Sequence, residues 1–513
     1  MVSTQLSRKE SLRNFLKGVR SRPVRDLLKN PLWDSQSTGR PIPDTTHACS
    51  VSLPTWDSVI GYEEGRDRVM KKLEAGYPRF FLHPLVKRVF AKATEEIAET
   101  GKRAIVFPHK RAAQGAQRYV ERKLAVATRI ASYDEGMQAL IVPETAIGVA
   151  MEYWRFTGEI ISSRQAEDLL KERDSEGGSV VMLKQQLSEF SGAALDDHYL
   201  YESGMSGVFA AYRAVMNLFP SKKTLQLEFP YVDALKVQQR FGNGVVFLYD
   251  AEGEDLDAAV RRIQEGEFAA VFCEVPSNPL LRTINLPRIS EACRQGGVPL
   301  VVDDTIATSI NLDVLKYADL VTTSLTKWIS GIGDVMGGML TLNTDSPWAS
   351  EFRSFLSEDT EGGSRLYSGD CRVLSSNIKS YRQRVEKSNQ NGELVADYLQ
   401  EHPAVGRVWY PKFNTPHEYR LIRRENGGYG GLVSFTLKQP RKMPKVYDAL
   451  KLCKGPNLGT EFTLASPYTM LAHYFELDWA EACGVSPNLL RLSVGNEEGD
   501  IIIGALARAL DLA

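Results

Sequence analysis

The sequence predicts an α/β protein: a mostly parallel sheet flanked by helices, with a smaller C-terminal α+β domain. Three observations carry this. Beyond Arg164, short apolar β-rich runs alternate with helical stretches, as in a parallel sheet covered on both faces. Polar residues fall at the C-terminal ends of those runs, where ligands sit in such sheets. The 513 residues are too many for one compact core, so two or three lobes are expected.

Taken in order, the first forty residues are basic and interrupted by Pro23 and Pro31. Leu12, Phe15, Leu16 and Val19 recur at helical spacing and predict an amphipathic arm that docks on the body or on a second subunit. A mitochondrial transit peptide competes, but Glu10, Asp26 and Asp34 are acidic where such peptides are not. Residues 85 to 130 read as helical and charged, so residues 1–160 form an N-terminal arm and helical extension. Residues 161–375 form the large domain, with β-runs HYLYES, TLQLEF, VVFLYD, AAVFCEV, PLVVDD and LVTTSL. Residues 376–513 form the C-terminal domain, with a long helix, a glycine-rich approach to a strand at GGYGGLVSF and a last helix from Gly499.

Composition narrows the function. The 62 basic and 64 acidic residues nearly cancel, which argues against a nucleic-acid binder. No apolar run approaches the roughly 20 residues that span a bilayer, and no secretory signal is visible. A cytoplasmic protein with no membrane partner is expected. The six cysteines are scattered without a CxxC pair, so reduced buried thiols are expected rather than disulfides or zinc. The seven histidines include no HExxH, and no metal is expected.

The chemistry gathers at strand ends. Lys327 follows the run LVTTSL within SLTKW, and a lysine amine there is the group that forms a Schiff base with an aldehyde cofactor. Ser324 and Thr326 flank it with hydroxyls suited to a phosphate. Asp303 ends PLVVDD, where a carboxylate can hold a pyridine nitrogen protonated; Asp304 competes for that role. Gly204 and Met205 open a helix after Ser203, a phosphate-binding arrangement. Tyr231 can stack on a planar ring, Asn278 in EVPSNP can hydrogen-bond it, and Arg491 in LLRLSVG can fork onto a substrate carboxylate. Each signal alone has a plainer explanation: a surface lysine, a turn, a cap, a packed tyrosine or a surface ion pair.

Their order does not. SGM, Tyr, ExPSNP, VVDDT, SLTK and LRLSVG follow one another as in the Cys/Met-metabolism family of pyridoxal-phosphate enzymes, which the chain resembles from about residue 160 to its end. HACSVSLPTWDSVIGYEEG and GYPRFFLHP resemble the fungal cystathionine γ-synthase branch. The resemblance implies the fold type I transferase architecture, pyridoxal 5'-phosphate as cofactor, and a homodimer or homotetramer with shared active sites. It assigns Lys327 as the Schiff-base lysine, Asp303 as pyridine partner and Tyr231 as stacking ring. Gly204, Met205, Ser324 and Thr326 become phosphate contacts, Asn278 a ring contact and Arg491 the α-carboxylate clamp.

Two departures stand out. Bacterial members carry a Tyr-Ser-Arg motif that reaches the neighbouring subunit's cofactor phosphate. Ser162-Ser163-Arg164 matches it best, leaving Arg164 without the tyrosine, and Tyr77 with Arg79 in GYPRF is an alternative pair. In GPNLGTEFTLASPY, Asn457 and Thr463 stand at serine positions of the bacterial pocket segment, so Asn457, Phe462 and Thr463 are the expected substrate contacts. The resemblance implies γ-substitution on an O-acyl-L-homoserine through a vinylglycine-type electrophile, with L-cysteine as default nucleophile and cystathionine as product. The alternatives are carbon–carbon bond formation with a β-keto acid or ester, a cystathionine lyase, or a catalytically silent partner-binding protein, against which intact Lys327, Asp303 and Arg491 argue.

Overall fold

The computed structural model describes residues 25–173 and 177–513. The helical spacing of Leu12, Phe15, Leu16 and Val19 lies outside the described residues. Three sheets follow one another along the chain.

The first sheet was not expected. Between helices Pro84–Ile97 and Lys110–Leu124 runs β1 (Lys102–Phe107), followed by β2 (Arg129–Asp134) and β3 (Met137–Pro143), in antiparallel order β1-β3-β2. The extension expected to be helical is thus α+β. The helical reading failed because KRAIVF sits between two strongly periodic helices, and its four apolar residues read equally well as buried helix.

The second sheet has seven strands: β4 (His198–Tyr201), β5 (Thr224–Leu227), β6 (Val245–Leu248), β7 (Val271–Glu274), β8 (Leu300–Asp303), β9 (Leu320–Ser324) and β10 (Gly338–Leu342). Their order is β4-β10-β9-β8-β7-β5-β6. β10 alone runs against the rest, pairing antiparallel with both β4 and β9. The first six strands are the predicted runs; β10 was missed. The helices Gly204–Leu218, Val232–Arg240, Gly253–Gln264 and Leu286–Gly296 supply the crossovers.

Helix Gly204–Leu218 is buried along most of its length. Its Phe209, Ala210 and Val215 share one apolar cluster with Val106 and Leu140 of the first sheet and with Leu320 and Leu340 of the second. The extension therefore fuses to the large sheet through this helix. Buried charges brace the same joint: Arg213 pairs with Glu159 and Asp359, and the Tyr153 hydroxyl donates to Glu159 at 2.7 Å.

The third sheet, β11 (Val405–Trp409), β12 (Leu432–Leu437), β13 (Cys453–Lys454), β14 (Leu464–Ser466) and β15 (Leu490–Ser493), has order β11-β12-β15-β14-β13. Helices Tyr381–Glu401 and Gly499–Leu510 pack on it. Val51 and Leu53 of the N-terminal segment enter this core, and the Tyr447 hydroxyl donates to the Leu53 carbonyl at 2.7 Å. All six cysteines are free and buried. Among the described residues no helix is long and apolar enough to cross a membrane.

Candidate active site

Strand ends of the large sheet converge on one cavity. Ser203 follows β4, Tyr231 lies beyond β5, Glu274 ends β7, Asp303 ends β8 and Ser324 ends β9. Asn457, Ser466, Tyr468 and Arg491 close it from the C-terminal sheet, and Glu63, Tyr77 and Arg79 from the N-terminal extension. Counted together with the open solvent at its mouth, the empty space comes to about 1160 Å³.

Lys327 stands at the centre, 7% exposed. Its amine donates to the Tyr77 hydroxyl at 2.8 Å and, more closely, to the Asn457 side-chain carbonyl. Burial lowers its pKa, with Tyr77 opposing the fall and the Arg491 charge adding to it. Asn457 occupies φ 119°, a conformation that side chains rarely adopt, at a cost of about 1–3 kcal/mol. That strain aims its amide at the lysine.

Strand alternation separates the two aspartates. Asp303 lines the cavity and accepts from the Thr305 N–H at 2.9 Å and the Thr322 hydroxyl at 3.0 Å. Burial raises its pKa, and these hydrogen bonds oppose the rise. Asp304 lines a different, smaller cavity, takes the Thr323 hydroxyl, and is pushed by burial up to about 7.

Arg491 donates to the Asn278 side-chain oxygen and to the Asn457 carbonyl, both at 2.9 Å, and lies 4.9 Å from the Tyr468 ring centre. Among the described residues its Nε has no hydrogen-bond partner and no carboxylate pairs with this buried cation, which leaves it free for one on a ligand. Arg79 donates to the Tyr231 hydroxyl and pairs with buried Asp233. The Tyr231 N–H donates to Glu274 at 2.6 Å.

Pyridoxal phosphate fits these residues. Helix Gly204–Leu218 opens into the cavity at Ser203, Gly204 and Met205, opposite Ser324 and Thr326, and its first N–H groups have no partner within the helix. A Cβ on Gly204 would meet the Ser324 Cβ at 2.7 Å, so glycine keeps this cradle open. Among the described residues, the Asn457 amide nitrogen and Glu274 Oε2 are buried without hydrogen-bond partners beside it. Bound there, pyridoxal phosphate supplies an aldehyde to a lysine amine and an electron sink for the α-carbon of an amino acid.

Lys327, Asp303, Tyr231, Gly204, Met205, Ser324, Thr326, Asn278, Arg491 and Asn457 thus meet in one place. Three expected contacts do not. Arg164 stands in a neighbouring small cavity, paired with Asp370 and donating to the Asp334 carbonyl at 3.1 Å. Tyr77 and Arg79, the alternative pair, are the ones that reach the cavity. Phe462 packs instead with Leu27, Leu32 and Ile42 of the N-terminal segment. The Thr463 hydroxyl donates to Glu497 at 2.7 Å. The pocket segment turns its Pro456–Leu458 end and Ser466 inward, and the residues between turn away. Sequence reasoning passed over Glu274, Tyr468 and Glu63; the first two follow strands and were open to the strand-end argument, whereas nothing marked Glu63.

The model of the Cys/Met metabolism PLP-dependent enzyme family matches residues 175–511, and that of the fungal trans-sulfuration enzyme N-terminal domain matches residues 85–162. Cystathionine gamma-synthase of Neurospora crassa is 31% identical, over 93% of this chain and 98% of that protein. The cystathionine gamma-synthase-like protein ankD of Aspergillus thermomutatus is 32% identical over 91% and 93%. An L-2-amino-4-chloropent-4-enoate dechlorinase/desaturase of Streptantibioticus cattleyicolor is also 32% identical, over 93% and 99%. Among solved structures, metB from Corynebacterium glutamicum superposes with a TM-score of 0.56 at 22% identity, covering 64% of this chain and 84% of that one, a likeness of fold.

Proposed function

The chain belongs to the Cys/Met metabolism family of pyridoxal-phosphate-dependent enzymes, and on that premise we propose that it replaces the γ-substituent of an O-acyl-L-homoserine. The default reading takes O-acetyl-L-homoserine as donor and L-cysteine as nucleophile, giving cystathionine. The observation that carries it is Lys327, a buried amine held between two neutral acceptors and flanked by Asp303 and a carboxylate-free Arg491.

Each residue has a task. Lys327 would hold the cofactor aldehyde and, as a free amine, would take the substrate α-proton; burial keeps its amine unprotonated more readily. Asp303 would pair with the pyridine nitrogen and favour its protonated form. Tyr231 would stack on the ring and Asn278 would hold its oxygen. Gly204, Met205, Ser324 and Thr326 would hold the phosphate. Arg491 clamps the substrate α-carboxylate, and Asn457 positions Lys327. A homodimer or homotetramer with shared sites gives Arg164 its role, in the neighbouring subunit's phosphate site. The proposed location is the cytoplasm.

A second reading replaces cysteine by a carbon nucleophile, a β-keto acid or ester. The apolar mouth of the cavity, with Tyr62, Phe80, Leu471 and Ala472, favours it. The test is to offer O-acetyl-L-homoserine with cysteine, other thiols and acetoacetate, and to follow acetate release and product mass. Cystathionine as main product supports the default. A carbon-linked product without cystathionine replaces it with the second reading, and absence of acetate release overturns both.

A further inference from the structure

Glu63 ends helix Trp56–Glu63, which packs against helix Tyr468–Ala472 at the mouth of the cavity. Its side chain lines the same cavity as Lys327, within a rim formed by Tyr62, Phe80, Leu471 and Ala472. Its neighbour Glu64 is engaged outside, accepting from Arg66 and from Tyr474. The Glu63 carboxylate, in contrast, makes no hydrogen bond or ion pair among the described residues.

The cation nearest in effect is Arg155, whose guanidinium lies 4.2 Å from the Phe80 ring centre and 3.5 Å from Asp233. Burial pushes the Glu63 carboxyl up to about 8, with Arg155 opposing. Tyr62 and Tyr474 face it without donating to it. A carboxyl withdrawn from water without a partner is costly, and a ligand that brings a cation removes that cost.

The geometry points to Glu63 as the group that receives the ammonium of the second, nucleophile-bearing amino acid, an inference that rests on the γ-replacement reading with cysteine. The donor substrate leaves no ammonium for it, because its amine is spent on the cofactor and its carboxylate on Arg491. A second amino acid enters through the mouth with its ammonium free. There the half-buried apolar rim thins the surrounding water and strengthens a carboxylate–ammonium pair. Glu63 is thereby a specificity residue: it separates amino acids from thiols or carbon acids that lack an amine.

The test uses holoenzyme, O-acetyl-L-homoserine, and either L-cysteine or 3-mercaptopropionate, which keeps the thiol and carboxylate but has no amine. The wild type should prefer cysteine at least tenfold in kcat/KM after correction for thiolate fraction; no preference overturns the inference even without a variant. Glu63→Gln should reduce the ratio at least tenfold through the KM of cysteine, and Glu63→Asp should restore part of it. A purely structural role would lower both thiols together, and that result, or an unchanged ratio, overturns the inference alone. Acetate release without product from either thiol overturns the cysteine reading, and the inference with it.

Discussion

Tyr77 and Lys327 are 250 positions apart in the chain, yet the Tyr77 hydroxyl accepts a 2.8 Å hydrogen bond from the Lys327 amine. Burial opposes ionisation of this phenol, but the Lys327 and Arg79 charges outweigh it and hold its pKa below the ordinary value. The N-terminal extension therefore completes the site rather than merely covering it. Its tyrosine is fixed from behind, because Arg79, two residues on, is anchored to Asp233 and to the Arg155 carbonyl.

Tyr77→Phe should keep the fold and bind pyridoxal phosphate, but lose activity. A hydrogen bond to a charged group contributes about 1.5–3 kcal/mol, so kcat/KM should fall roughly 10- to 150-fold. Cofactor content and steady-state kinetics measured together provide the check. Unchanged kcat/KM at full loading would leave the contact without a role.

Asp303→Asn and Asp304→Asn should separate, because the two carboxyls line different cavities. An amide at 303 cannot favour a protonated pyridine nitrogen, so turnover should fall on the order of 100-fold, about 2.7 kcal/mol. Asp304→Asn keeps an acceptor for Thr323 and should be the milder change in turnover. Equal effects in the two variants, at equal cofactor content, would refute the assignment of the roles.

The six predicted β-runs of the large sheet and most of the cavity were legible for one reason. Strands followed by polar residues announce both the layer and its ligand-bearing edge, and Lys327, Asp303, Tyr231 and Gly204 all follow strands. β10 escaped because GMLTL lies close behind the Lys327 turn and reads as its continuation. Glu63 belongs to a segment far from the strand ends it meets, and no local pattern encodes such a meeting. Phe462 was misplaced for a related reason: which way a loop turns its side chains is decided by its partners, here Leu27, Leu32 and Ile42.

His198 supplies a pH test of the fold. It is fully buried on β4, hydrogen-bonded to Ser191 and Thr341, and burial lowers its pKa to about 4 from 6.5. The unfolded chain takes up a proton near pH 6.5 and the folded chain does not, so stability falls as pH drops from 6.5 towards 4. The loss reaches about 3 kcal/mol at its limit. Below pH 4 this contribution no longer changes. His198→Gln should therefore show a smaller drop in Tm between pH 7 and pH 5 than the wild type. An equal drop would mean that other groups govern the acid limb.

Arg491→Lys tests the clamp. The guanidinium is already committed twice within the chain, to Asn278 and to the Asn457 carbonyl, and its Nε is left over. Burial depresses its pKa, with the Tyr468 and Tyr77 hydroxyls opposing. A carboxylate arriving from a substrate relieves that burial. Lysine would keep the charge but not the planar fork, and it could not serve Asn278, Asn457 and a substrate in the same geometry. Weakening a charge-assisted pair in a water-excluded site costs about 2–5 kcal/mol, so kcat/KM for the homoserine ester should fall roughly 30- to several-thousand-fold. Cofactor content should change little, because the phosphate cradle at Gly204, Met205, Ser324 and Thr326 lies on the large sheet and Arg491 does not. The decisive comparison is activity per occupied site. Loss of cofactor with unchanged activity per occupied site would show that Arg491 holds the cofactor pocket together rather than the substrate. Loss of activity at full occupancy, carried mainly by KM, is the expected result.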